Sequence, residues 1–120
     1  MGPRTVLLVE DDLGIRETIA ELLSEEGYDV TCAANGAEAL AVLAHAGAPT
    51  VILLDLMMPV MNGWEFRSAL RSDPRLARIP VIILSAGVAA DQRSSALEAA
   101  AFLPKPFEVG KLLDAVQRCC

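Results

Sequence analysis

Thr5-Val6-Leu7-Leu8-Val9-Glu10-Asp11-Asp12 is the stretch whose reading decides the fold. A run too short for a helix and rich in Val and Leu passes directly into three consecutive acids. Such a run suits a strand buried on both faces of a parallel sheet, where no polar alternation is expected. The pattern recurs along the chain. Val51-Ile52-Leu53-Leu54 closes on Asp55, Val81-Ile82-Ile83-Leu84 closes on Ser85, and the short run Phe102-Leu103 is followed by Lys105. In an open parallel sheet the C-terminal ends of the strands share one edge, and ligands bind there. Carboxylates, a hydroxyl and an ammonium delivered to that edge make a site for a metal ion and a phosphoryl group.

Between the strand runs the periodicity changes to that of helices, so strand and helix alternate five times and an α/β doubly wound fold follows. Ile15, Ile19, Leu22 and Leu23 recur at helical spacing opposite Glu17, Glu21 and Glu25, with Asp12 placed to cap this helix and Gly27 to end it. Tyr28 to Ala33 reads as the second strand, Asn35-Gly36 as a turn, and Ala37 to Ala46 as a helix with Leu40 and Leu43 inward. After the third strand, a loop through Pro59 to Gly63 leads to a helix from Trp64 to Ser72, stopped by Asp73-Pro74. Asp91 is a candidate cap for a fourth helix reaching Ala99, whose only large apolar residue is Leu97. That helix has little apolar area to hold it and is expected to pack least firmly. The fifth strand covers Ala101 to Leu103. A last helix carries Val109, Leu112, Leu113 and Val116 on one face.

With 120 residues, 53% of them apolar, the chain is expected to form one compact domain, 1–120, with a well-buried sheet. The net charge of −6 argues against a nucleic-acid surface, which needs clustered Lys and Arg. The longest uncharged stretch, Ala39 to Leu54, is too short for a membrane span and is broken by Gly47 and Pro49. No secretory or myristoylation signal stands at the N-terminus, and a cytoplasmic location with no membrane partner is the expectation. Cys32 reads as a structural buried thiol. Adjacent Cys119 and Cys120 offer no spacing for a disulfide framework or zinc site. His45 reads as an exposed helix residue, Trp64 as packing, and Met57, Met58 and Met61 as loop and core filling.

Two or three carboxylates crowded at one sheet edge repel, and a divalent cation removes that penalty. Oxygen ligation by few carboxylates plus water suits Mg²⁺, with Mn²⁺ as a substitute, better than Ca²⁺, for which no loop supplies enough oxygens. Beside such an ion, Asp55 can act as a nucleophile toward phosphorus, since carboxylates form aspartyl phosphates. Phosphoryl transfer needs mainly positioning and charge neutralisation. Lys105 and the Ser85 hydroxyl would take two of the transferring oxygens and the metal a third.

With these motifs the chain resembles the receiver domain of two-component response regulators. The motifs are Val-Leu-Leu-Val-Glu10-Asp11-Asp12, Leu54-Asp55-Leu-Met-Met-Pro59-Val-Met-Asn-Gly63, Ile-Ile-Leu-Ser85-Ala86 and Lys105-Pro106-Phe107. The resemblance runs from Val6 to Val116. It implies a flavodoxin-like (CheY-like) three-layer α/β/α fold with a five-stranded parallel sheet in order 2-1-3-4-5. It also implies that Asp11 and Asp55 bind Mg²⁺ directly, Glu10 through water, and that the Met57 backbone carbonyl completes the protein ligands. Asp12 is left as a helix-start residue. Asp55 is then the phosphoacceptor, served by a histidine kinase or a histidine phosphotransfer protein.

By the same resemblance Ser85 and Phe102 form a switch pair, Ala86 leaves the nucleophile accessible, and Pro106 helps aim Lys105 into the site. Output passes through the face built from the fourth helix, the fifth strand and the last helix, toward a protein partner or a fused domain. A monomer or weak dimer is expected. The resemblance implies a signalling switch rather than an enzyme. Ser85 stands where the family more often has Thr, and the 20 positions from Ser85 to Lys105 are slightly fewer than the family pattern, with the shortening around Ala99 to Ala101. Met57 and Gly87 offer no amide or acid to orient a hydrolytic water, so slow self-dephosphorylation is expected.

Two other classes compete. A phosphatase of the haloacid-dehalogenase kind also uses Asp, Mg²⁺, Ser and Lys, but places its nucleophile after the first strand as Asp-x-Asp, where this chain has Glu-Asp-Asp. A pseudo-receiver that docks without phosphorylation would not need the complete residue set.

Overall fold

Successive residues of each central strand feed two different apolar layers, and this alternation builds the molecule. The computed structural model describes residues 4–55, 61, 63–85, 101–104 and 108–119. Five strands, β1 (Thr5–Val9), β2 (Asp29–Ala33), β3 (Val51–Asp55), β4 (Val81–Ser85) and β5 (Ala101–Pro104), form one parallel sheet in the order β2-β1-β3-β4-β5. Helices α1 (Leu13–Glu25), α2 (Gly36–Ala46), α3 (Gly63–Ser72) and a last helix (Val109–Cys119) cover its two faces. This is the doubly wound flavodoxin-like arrangement that the sequence predicts.

Leu7, Val9, Ile52, Leu54, Val81 and Ile83 point to the face covered by α2 and α3, where they meet Ala39, Leu43, Phe66 and Leu70. Their neighbours Val6, Leu8, Val51, Leu53, Ile82 and Leu84 point to the other face, against Ile19 and Leu23 of α1 and Leu112, Ala115 and Val116 of the last helix. All five residues of β3 are buried, as a central strand covered on both sides requires. The edge strand β2 instead alternates exposed Asp29 and Thr31 with half-buried Val30 and Cys32.

Helix ends follow local chemistry. Asp12 caps α1 by accepting the Ile15 N–H at 3.0 Å. At the far end Gly27, with φ of 92°, takes the left-handed position. The Gly27 N–H bonds the Ser24 carbonyl and the Tyr28 N–H the Leu23 carbonyl, each at 3.1 Å, the Schellman pattern. Tyr28 is thus committed to the helix exit, and β2 begins one residue later than its composition predicts.

Asn35-Gly36 is not the isolated turn that the sequence reading expects. The Asn35 side chain accepts the Glu38 N–H at 2.9 Å, which makes Asn35 the cap of α2 and Gly36 its first residue. His45 lies exposed in the last turn of α2. Helix α3 begins at Gly63, one residue early, and stops as Asp73 accepts both the N–H and the guanidinium of Arg75.

Val109 is the one apolar residue of the last helix that departs from expectation. It is 44% exposed, in the first turn of the helix. The expected fourth helix, with Asp91, Leu97 and Ala99, lies outside the described residues.

Candidate functional site

The sheet register brings the acids together. Val9 pairs with Leu54, so the next residues of β1 and β3, Glu10 and Asp55, stand side by side at the C-terminal edge. Carboxylate oxygens of Glu10, Asp11 and Asp55 all lie within 4.8 Å of one another. Glu10 has no exposed surface and Asp55 is 4% exposed, whereas Asp11 is open to solvent. Two of the three carboxylates are thus buried at the sheet edge and one faces solvent.

Asp12 is excluded from this cluster by its work as a helix cap. One carboxylate oxygen is committed to the Ile15 N–H, and the side chain faces the start of α1. The structure thus separates three consecutive acids into a pair at the pocket and one at the helix, as the family register implies.

Glu10 is held at several points. Its N–H donates to the Ala33 carbonyl of β2 at 3.0 Å. Its carbonyl accepts from the Arg16 guanidinium at 2.9 Å, and its Oε2 accepts the Asp12 N–H at 3.3 Å. Arg16 was not among the residues expected from the sequence to serve the site. A lone Arg on a helix is ordinarily a solvated side chain, and its return to the strand end depends on the path of the loop.

The remaining expected residues divide by what is described. Leu84 registers with Asp55 and Ser85 with Pro104, so the Ser85 and Phe102 backbones lie on strands ending at the same edge. Their side-chain roles, and Met57, Ala86, Lys105 and Pro106 altogether, lie outside the described residues.

Met61, after the β3 loop, packs on the core, in keeping with the packing role expected of the methionines. Met57 and Met58 are not described. Its carbonyl accepts the Gly36 N–H at 3.3 Å, and a Cβ at Gly36 would meet the Met61 Cγ at 2.8 Å and its Sδ at 2.9 Å. Trp64 is partly buried against the same core. Cys32, expected to be buried, is only half-buried because it lies on the edge strand. Burial still pushes its thiol up, with the Arg16 charge acting in the opposite direction. Cys119 is half-buried against the α1-side core.

The donor set fits a hard divalent ion. All the ligand atoms are oxygens, and two oxygens on one Mg²⁺ at about 2.1 Å stand at most about 4.2 Å apart. The carboxylates already lie near that spacing. Among the described residues, no helix is long and apolar enough to cross a membrane.

A doubly wound parallel sheet with Glu10, Asp11 and Asp55 gathered at the β1 and β3 ends is the arrangement of a receiver-type signalling domain. The chain belongs to the response regulator receiver domain family, whose sequence pattern matches residues 6–117. It is therefore a receiver domain of the kind that two-component systems use as a signalling switch.

It is 38% identical over 113 residues to the response regulator MprA of Mycobacterium sp. (strain KMS), covering 92% of this chain and 48% of that protein. The chain thus spans about half the length of the curated relatives it matches. Among solved structures it is similar to the chemotaxis protein CheY4 of Vibrio cholerae, with a TM-score of 0.88 and 35% identity over 99% of this chain and 100% of that one. It is also similar to the signal receiver domain of a signal transduction histidine kinase from Syntrophus aciditrophicus. There the TM-score is 0.89 and the identity 32%, over 96% of this chain and 88% of that one.

Proposed function

We propose that Asp55 is the phosphoacceptor of this receiver, taking a phosphoryl group from a phosphohistidine of a sensor kinase or phosphotransfer protein. The observation that carries this reading is the buried Asp55 carboxylate set within 4.8 Å of Glu10 and Asp11 at the strand ends. An Asp55 oxygen attacks phosphorus as the bond from phosphorus to the histidine nitrogen breaks, and the imidazole leaves with that electron pair. The product is an acyl phosphate on Asp55.

Glu10, Asp11 and Asp55, with the Met57 carbonyl, would hold Mg²⁺, or Mn²⁺ in its place, which supplies charge neutralisation at a transferring oxygen. Lys105 and the Ser85 hydroxyl serve the other oxygens. Ala86 keeps the approach open and Pro106 helps direct Lys105.

The added group brings roughly −1.5 to −2 charges to the sheet edge. Ser85 moves toward it and Phe102 turns inward, which repacks the face of the fifth strand and its flanking helices for a protein output partner or a fused domain. We assign this role to residues 1–120 as a single receiver unit, working in the cytoplasm as a monomer or weak dimer, with no direct nucleic-acid contact.

The test is incubation with Mg²⁺ and a small acyl phosphate, followed by intact mass. A gain of one phosphoryl group is expected in the wild type and no gain in Asp55→Asn. An unmodified wild type contradicts the proposal. The decay of the adduct reads the lifetime in the same experiment. Met57 and Gly87 provide no group to orient water, so loss of the adduct over minutes or longer is expected. Loss within seconds contradicts that part of the reading.

A further inference from the structure

The residue that joins the two acids of the pocket to helix α1 is Arg16. Glu10 and Asp11 are consecutive, so one planar peptide unit separates their Cα atoms, and its orientation governs how the two side chains leave the backbone. The carbonyl of that unit belongs to Glu10, and the Arg16 guanidinium donates to it at 2.9 Å. On the other side of Glu10 the N–H is fixed to the Ala33 carbonyl of β2 at 3.0 Å. The Glu10 carboxylate in turn accepts the Asp12 N–H at 3.3 Å.

Anchors from β2, from the loop and from α1 therefore converge on one fully buried residue. The Arg16 contact is donated by a side chain, so a substitution can remove it.

We propose that Arg16 is a positioning residue for the Mg²⁺ pocket, holding the Glu10–Asp11 peptide plane so that both carboxylates face Asp55. The inference rests on the reading of the pocket as a Mg²⁺ site. Arg16 does not touch the metal or the phosphoryl group; it acts through the backbone of Glu10. Without it the Glu10 carbonyl loses a charge-assisted partner, and the loop turns to find water. Outer-sphere partners of metal ligands commonly matter at this level, because small misplacements of hard oxygen ligands are costly to an ion with strict geometry.

The sign of the effect separates this role from simple electrostatics. Arg16 is a cation close to a cation site. If it acted only through charge, its removal would tighten Mg²⁺ binding. As a positioning residue, its removal weakens binding.

The test is a Mg²⁺ titration by calorimetry on the whole chain, for the wild type, Arg16→Met and Arg16→Lys, with folding checked by circular dichroism. Arg16→Met is expected to bind Mg²⁺ on the order of tenfold more weakly. Arg16→Lys keeps a donor and a positive charge and is expected to fall between Met and the wild type. If Arg16→Met folds poorly, Arg16→Gln carries the same expectation as Met.

Equal or tighter binding in the neutral variant, with the wild type binding normally, overturns the positioning role and leaves the function of the pocket standing. A wild-type chain that takes up no Mg²⁺ overturns the reading of the pocket itself, and this inference with it.

Discussion

At the level of single residues, the three consecutive acids show what a sequence conveys and what it withholds. Their position after a strand run marks a site, but nothing in Glu10-Asp11-Asp12 alone says which acids serve it. Helix geometry decides. Asp12 stands three residues before Ile15, where a side-chain oxygen meets the unsatisfied N–H of the first helical turn. The assignment has a direct consequence. Asp12→Ala is expected to cost about 1 kcal/mol of stability in a denaturant titration, the usual value of a lost cap. Its Mg²⁺ affinity should fall no more than about threefold, while Asp11→Asn is expected to lose at least about tenfold, because an anionic carboxylate of the proposed ligand set becomes a neutral amide. Equal losses in the two variants would place Asp12 in the pocket. Arg16, by contrast, could not be read from sequence. Its work is a bond to a backbone carbonyl six positions back, and any residue type at position 10 would present that carbonyl.

Whole elements were legible wherever burial was complete. The β1, β3 and β4 runs are apolar on both faces because helices cover both faces, and their shortness and Val and Ile content separate them from a buried helix. Element ends were less legible, since two signals competed at each. Asn35-Gly36 is a common turn pair, yet Asn is also a strong helix cap, and Glu38 three residues on favours the cap. Gly36 is required there for a reason that propensity does not contain. A side chain would enter the Met61 thioether, which fastens the loop after β3 to the start of α2. Gly36→Ala is therefore expected to destabilise the fold by about 1–3 kcal/mol, the usual cost of overpacking, despite the better helix propensity of Ala. Chemical denaturation measures it, and a stabilised variant would show that Met61 yields freely. Val109 fails in the opposite sense. It satisfies the helical period, so pattern alone assigns it to the core, yet it lies exposed in the first turn.

On the scale of the molecule, the parallel sheet turns separate sequence signals into one site. Strands of about five residues end together at one edge, and register carries Glu10 beside Asp55 across 45 positions of sequence. Glu10 and Asp55 are buried at that edge, while Asp11 stands open to solvent beside them. The proposed function assigns the phosphoryl group to one atom group, the Asp55 carboxylate, and to no other acid of the pocket. Borohydride reduces an acyl phosphate to an alcohol, which leaves homoserine in place of the modified Asp. Phosphorylating the chain with a small acyl phosphate in Mg²⁺, reducing it and mapping the peptides therefore reads the acceptor directly. Homoserine at position 55 alone is the expected result, and its appearance at position 11 or 12, or nowhere in the chain, would contradict the account.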